Sequence, residues 1–171
     1  MKHIQLLIKP ASSLCNLRCS YCFYADISSL RQVRSFGRMK PEVTTKLIDH
    51  VFQDLEDGDH LTIGFQGGEP TLAGLKYFQN FVKQVKAQPK QVTVDYAIQT
   101  NGLLLDEAWC QFLKTEAFLV GLSIDGGADF HDRHRPDGAR RGSYQRVLAT
   151  KKRLDDFEIP FNVLCVLTEE M

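Results

Sequence analysis

"SSLCNLRCSYCFYAD", residues 12–26, carries three of the chain's five cysteines, Cys15, Cys19 and Cys22, within eight positions. Their spacing is C-x3-C-x2-C, and no fourth cysteine lies nearby. A disulfide scheme wants an even number of thiols, and a structural zinc site usually wants four ligands. Three is the number for a metal centre that keeps one corner open. Three thiolates on a short loop can bind three irons of a [4Fe–4S] cube and leave the fourth iron free to chelate a small molecule through nitrogen and oxygen. Spacing alone leaves open three unrelated thiols, or a three-thiolate zinc site completed by a distant ligand. Tyr21, Phe23 and Tyr24 flank the last cysteine, which suits a shielded cluster or a flat ligand stacked on the loop.

At 171 residues, 43% apolar and 25% charged, the chain reads as one folded domain rather than a disordered segment. A formal net charge of zero argues against an overall field for nucleic acid or membrane. The charge is uneven, however. Residues 1–40 hold seven Lys/Arg against the single acid Asp26. Arg31, Arg34 and Arg38 read either as a solvated loop or as a basic lip near an anionic partner or cofactor. The apolar run "IQLLI" stops at Lys9-Pro10, too short for a signal core, and no stretch approaches the roughly 20 apolar residues of a membrane span. Five cysteines without a secretory route point to a reducing cytoplasm, where clustered thiols are more often metal ligands than disulfides.

Apolar strands alternate with amphipathic helices. Strands are expected at 4–10, 61–67, 91–100, 118–125 and 161–169, and helices at 40–58, 75–88, 106–116 and 143–156, the third capped by Asp106. Five strands and four helices in this order make parallel β-α units with right-handed crossovers, an α/β fold. The polar, Gly-containing stretches each follow a strand: "CNLRCSYC", "GGEP", "QTNG" and "SIDG". In parallel β/α architecture these positions share one rim of the sheet, where such folds build their sites.

Each motif offers a plausible part. Gly67 and Gly68 in "GFQGGEP" let a ligand approach the backbone, and Glu69 can accept from a cationic amine. In "SIDG", Ser123 and Asp125 offer a hydroxyl and a carboxylate, and in "HDRHR" Arg135 can clamp a carboxylate. Cys110, in an apolar helix, and Cys165, mid-strand, read as free buried cysteines. A cluster, an amine acceptor, a carboxylate donor and polar groups for a sugar together describe a pocket for S-adenosylmethionine (SAM).

With these motifs the chain resembles the radical SAM enzymes, whose hallmark is the C-x3-C-x2-C loop after the first strand of a partial (β/α) barrel. "LIKPASSLCNLRCSYCFY", "FQGGEPTLAG", "IQTNG" and "VGLSIDG" together resemble the anaerobic sulfatase-maturating branch over nearly the whole chain. The resemblance implies that Cys15, Cys19 and Cys22 ligate a [4Fe–4S] cluster. It implies that Tyr21 lies along the adenine of SAM, that Gly68 with Gly67 and Glu69 receives the methionyl amine, and that Ser123 and Arg135 contact SAM. Tyr24 and Gln66 match positions on the substrate side of the pocket. The implied reaction cleaves SAM to a 5′-deoxyadenosyl radical, which takes a hydrogen from the β-carbon of a Cys or Ser in a sulfatase peptide on the way to formylglycine. An electron donor such as flavodoxin or ferredoxin is implied as a second partner.

The family's chains are longer, with a sixth β/α unit, a general base and a cysteine-rich C-terminal region holding two auxiliary clusters. The expectation for residues 1–171 is therefore an incomplete core domain, truncated before the sixth unit, without the auxiliary-cluster domain and competent at most for cluster and SAM binding. A half-enzyme completed by a partner chain, or by self-association through an exposed fifth strand, is a second reading. A non-catalytic metal-binding or interaction module is a third.

Overall fold

Along His60–Phe65 (β2) side chains alternate strictly between half-buried and buried, with Leu61, Ile63 and Phe65 turned one way and His60, Thr62 and Gly64 the other. One face of the sheet is therefore covered and the other open. The computed structural model describes residues 1–168 and contains one sheet. Its five strands, β1 (His3–Ile8), β2, β3 (Thr93–Thr100), β4 (Leu119–Ser123) and β5 (Phe161–Leu164), lie in sequence order and are all parallel. Helices α2 (Pro41–Gln53), α3 (Leu75–Lys86), α4 (Glu107–Thr115) and α6 (Tyr144–Asp156) make the crossovers, as the sequence periodicity requires.

Local chemistry starts and stops these elements. Pro41 opens α2, whose buried Thr44, Ile48 and Phe52 recur at four-residue intervals. Asp106 caps α4 by accepting from the Trp109 N–H at 2.9 Å. The covered face is packed with aromatics: Phe65 meets Phe78, Phe81 and Phe118 with ring centroids 4.8, 5.1 and 6.2 Å away. Each of those four side chains is essentially inaccessible to water.

The described residues hold six α-helices rather than four. The additional two are α1 (Phe23–Ser29) and α5 (Ala128–His134). Apolar periodicity could not reveal them, because α1 buries none of its residues and α5 buries only His131 and His134. The last strand is also shorter than expected. Its ladder ends with the Ile124 N–H to Leu164 O bond, and the Val166 N–H then turns to the Asp125 carboxylate at 3.0 Å. Glu169, expected at the end of that strand, lies outside the described residues. Among the described residues no helix is long and apolar enough to cross a membrane.

The aromatic packing sets a stability expectation. Phe65→Ala should cost about 3–5 kcal/mol in urea unfolding followed by circular dichroism. Phe36→Ala, at a side chain 79% exposed, should change stability by less than about 0.5 kcal/mol.

Candidate functional site

The cysteine loop leaves β1 through two tight turns, in which the Ser12 N–H donates to Lys9 O and the Leu14 N–H to Ala11 O. It is then strapped from two sides. On one side the Glu69 N–H donates to Leu14 O at 2.7 Å. On the other, the Arg18 N–H donates to Pro136 O at 2.8 Å and the Ser20 N–H to His134 O at 2.9 Å, beside a bridge between Leu17 and Asp137. Gly68 is needed for the first strap. At its φ of +57° a Cβ would sit 2.3 Å from Leu14 O and 2.9 Å from Ser12 O. The glycine thus admits the backbone of the cysteine loop itself.

So strapped, the loop forms one wall of a cavity of about 390 Å³. All three clustered cysteines line it, with Tyr21, Tyr24, Gln66, Gly67, Gly68, Glu69, Ser123 and Arg135. The structure thereby gathers these eleven residues on one cavity, while Asp125, also singled out from the sequence, is fully buried behind it. It adds Gln99, Thr100 and Asn101 from the "QTNG" turn, and Cys165. Cys165 corrects the expectation of a buried thiol: it is exposed, because β5 stops at Leu164, whereas Cys110 is fully buried in α4 as expected.

The thiols are half-buried. Burial pushes the Cys15 thiol up to about 11, opposed by the Leu17 N–H that donates to its sulfur at 3.4 Å. Burial also raises Cys19, against the pull of the Arg135 charge. Asn101 Nδ2 reaches toward Cys15 Sγ at 3.9 Å and donates to Asn16 Oδ1 at 2.8 Å. Among the described residues no group of three or more His, Cys, Asp or Glu is arranged to hold a single metal ion; the thiols line a wall.

Two buried carboxylates organise the rest. Glu69 is 1% exposed; its Oε1 accepts from Thr71 N (3.0 Å), Thr71 Oγ1 (2.6 Å) and Thr100 Oγ1 (2.8 Å), and its Oε2 from Asn101 N at 2.8 Å. Burial pushes its pKa up even against those bonds. Asp125, with no exposed surface, accepts from Arg135 Nε at 2.6 Å and Nη2 at 3.2 Å, from the Tyr21 hydroxyl, and from Val166 N. Burial pushes Asp125 upward, but the Arg135 and Tyr21 bonds prevail and hold it below its ordinary value. The Arg135 side chain, expected to clamp an external carboxylate, is thus engaged by an internal one.

Ser123 has its own support. Its hydroxyl accepts from Gln99 Nε2 at 2.9 Å, and Gln99 lies where a Cβ on Gly121 would be, 2.0 Å from Gln99 Oε1. "SIDG" and "QTNG" had marked these loops as polar, but nothing in the chain order pairs Gln99 with Ser123 or Asp125 with Tyr21.

A family profile described as the radical SAM superfamily matches residues 10–170. The chain is 41% identical to a cysteine-type anaerobic sulfatase-maturating enzyme of Clostridium novyi (strain NT), covering 99% of this chain and 45% of that protein. It is 30% identical to a serine-type anaerobic sulfatase-maturating enzyme of Klebsiella aerogenes, covering 97% of this chain and 40% of that protein. A solved structure described as native anSMEcpe with bound AdoMet and Cp18Cys peptide superposes with a TM-score of 0.89 at 38% identity, covering 98% of this chain and 44% of that one. The chain thus spans less than half the length of these relatives.

The close approach at Gly68 is testable. Gly68→Ala should retain the helical circular dichroism of the parent yet lose most of the iron and sulfide taken up on anaerobic reconstitution; iron content equal to the parent's would mean that this contact does not position the loop. A second test concerns Asp137, which anchors the other strap. Backbone and side-chain bonds from Arg141 hold its carboxyl down to about 2, from an ordinary 3.8. A depressed folded-state pKa contributes stability that is complete above the ordinary value and lost as pH falls through the lowered one. Asp137→Asn should therefore flatten the fall in stability between about pH 4 and pH 2 in acid titrations of unfolding.

Proposed function

The chain belongs to the radical SAM superfamily, whose enzymes use a [4Fe–4S] cluster and SAM, and on that premise we propose that it acts as the cluster- and SAM-binding core of an oxidoreductase related to anaerobic sulfatase maturation. The observation that carries this reading is the gathering of three thiols from one loop, and polar groups from three further strand ends, around one cavity. The donor set suits the group. Thiols are ligands for iron–sulfur clusters, and the Leu17 N–H donates to the Cys15 sulfur with Asn101 Nδ2 beside it, so polar donors already point at this wall. Cys15, Cys19 and Cys22 are the residues that would hold the cluster. When bound, the cluster and SAM supply one-electron cleavage and hydrogen abstraction from a substrate carbon.

The chain's own residues position and shield. Tyr21 is fixed at its hydroxyl by Asp125, which presents its ring beside the cavity for an adenine. Ser123, fixed by Gln99, and the atoms of Arg135 left free by Asp125 are the groups for the methionyl carboxylate. Gly67, Gly68 and Glu69 form the wall for the methionyl amine, with the Glu69 carboxyl organising the backbone of that turn and the next. Tyr24, which lies under Lys9 Nζ at 4.5 Å, and Gln66 border the space for a peptide. The substrate class is a cysteine- or serine-bearing sulfatase peptide, and the electron comes from a separate carrier. The half-exposed Val163 and Leu164 on β5 support self-association through that edge.

The deciding experiment is anaerobic reconstitution with iron and sulfide, followed by EPR of the reduced protein with and without SAM. A [4Fe–4S] signal that changes when SAM is added supports the reading; zinc, no metal, or a cluster insensitive to SAM overturns it. Cys19→Ala should abolish cluster assembly while Cys110→Ala leaves iron content unchanged. Equal iron in both variants would remove the cysteine assignment.

A further inference from the structure

The cysteine loop has a second side. Leu17 and Cys19 line the cavity, but Arg18, between them, lines a separate groove of about 500 Å³ formed against the segment from Asp132 to Arg140. Arg18 reaches along its own loop, donating from Nη1 to Cys15 O and to Leu17 O, each at 2.8 Å. Arg133 and Arg140 line the same groove and are exposed. Arg141 and Arg146 extend its margin, held at 2.8 and 3.5 Å from the Asp137 carboxylate with side chains 75% and 50% exposed. Among the described residues, Arg18, Arg133, Arg140, Arg141 and Arg146 thus line or border the groove with Asp132 and Asp137, in a chain whose formal net charge is zero. The local excess is positive, and it adjoins the loop that carries the thiols.

From this juxtaposition we infer that the groove bounded by Arg18, Arg133 and Arg140 is the docking surface for an acidic one-electron carrier protein. The inference rests on the proposed function, because that chemistry needs an electron from outside the chain. A carrier seated here meets the cysteine loop from behind and leaves the cavity open to SAM and peptide. Complementary charge at such a surface raises encounter rate and sets orientation more than it adds raw affinity. The transfer is a single electron: the carrier passes from its reduced form to its one-electron-oxidised form, and the acceptor held by the three cysteines is reduced by one. No bond of this chain is made or broken. The other basic stretch, Arg31, Arg34 and Arg38, follows α1, where Arg34 O accepts from Ser13 Oγ, and lines neither the cavity nor this groove, so it serves as an internal comparison.

The test uses an FMN-carrying flavodoxin of acidic net charge as the probe, titrated against the chain at low ionic strength. The double variant Arg133→Glu/Arg140→Glu should bind it about tenfold or more weakly, and the parent's affinity should fall steeply with added salt. Arg31→Glu/Arg34→Glu, with the same change in net charge, should alter binding by less than about twofold. Cluster content and photoreduction by a small neutral deazaflavin should be the same in all three proteins. Equal effects of the two double variants, or none, would overturn the docking surface while leaving the cofactor assignment intact. Failure of the parent to assemble a SAM-responsive cluster would instead remove the proposed function and the inference with it.

Discussion

One buried carboxylate holds the site together. Asp125 lies at the end of β4, out of contact with water, and its two oxygens take bonds from the cysteine loop through Tyr21, from the end of α5 through Arg135, and from the segment after β5 through Val166. A buried ion pair is weak evidence for net stability, since desolvation offsets much of the Coulomb gain. Its value here is positional. With Arg135 beside it and two further donors, the charge is compensated, and three segments distant in sequence are held at defined places around one cavity.

The second constraint is steric. Residues 67–69 can support the cysteine loop only because position 68 lacks a Cβ and its φ is positive. Glu69 then connects that turn to the next one, accepting from Thr100 and Asn101, while Asn101 reaches Asn16 and the sulfur of Cys15. The walls of the cavity are therefore hydrogen-bonded to one another through buried groups. A network of this kind, satisfied at every carboxylate oxygen, favours a single arrangement of its members.

Beneath the site, the sheet supplies rigidity from one face only. Phe65, Phe78, Phe81 and Phe118 pack between β-strands and helices, while on the opposite face Gly64 and Ala97 join Leu7, Leu119 and Leu164 around a cavity of about 210 Å³. The loops at the carboxyl ends of the strands are thus mounted on a packed layer and project over an open one. Because all five strands are parallel, the polar motifs that follow them lie on one rim.

The amino-acid sequence by itself determined the alternation of strands and helices, their parallel order and the rim on which the motifs meet, because these follow from side-chain periodicity and from punctuation by Pro, Gly and Asp106. It also singled out the three clustered cysteines, since their meaning is contained in local spacing, and marked the glycine pair as a place of close approach without saying what approaches. Only the tertiary structure decided what Asp125, Gln99 and Asn101 do, because their partners lie far away in the chain and no spacing rule connects them. It likewise decided that Gly68 serves close backbone approach, that Arg135 is engaged by an internal carboxylate, and that Cys165 is exposed. The short helices α1 and α5 were invisible for the converse reason: they bury almost no apolar surface, so they leave no periodic trace, and the loops that they flank hold them in place.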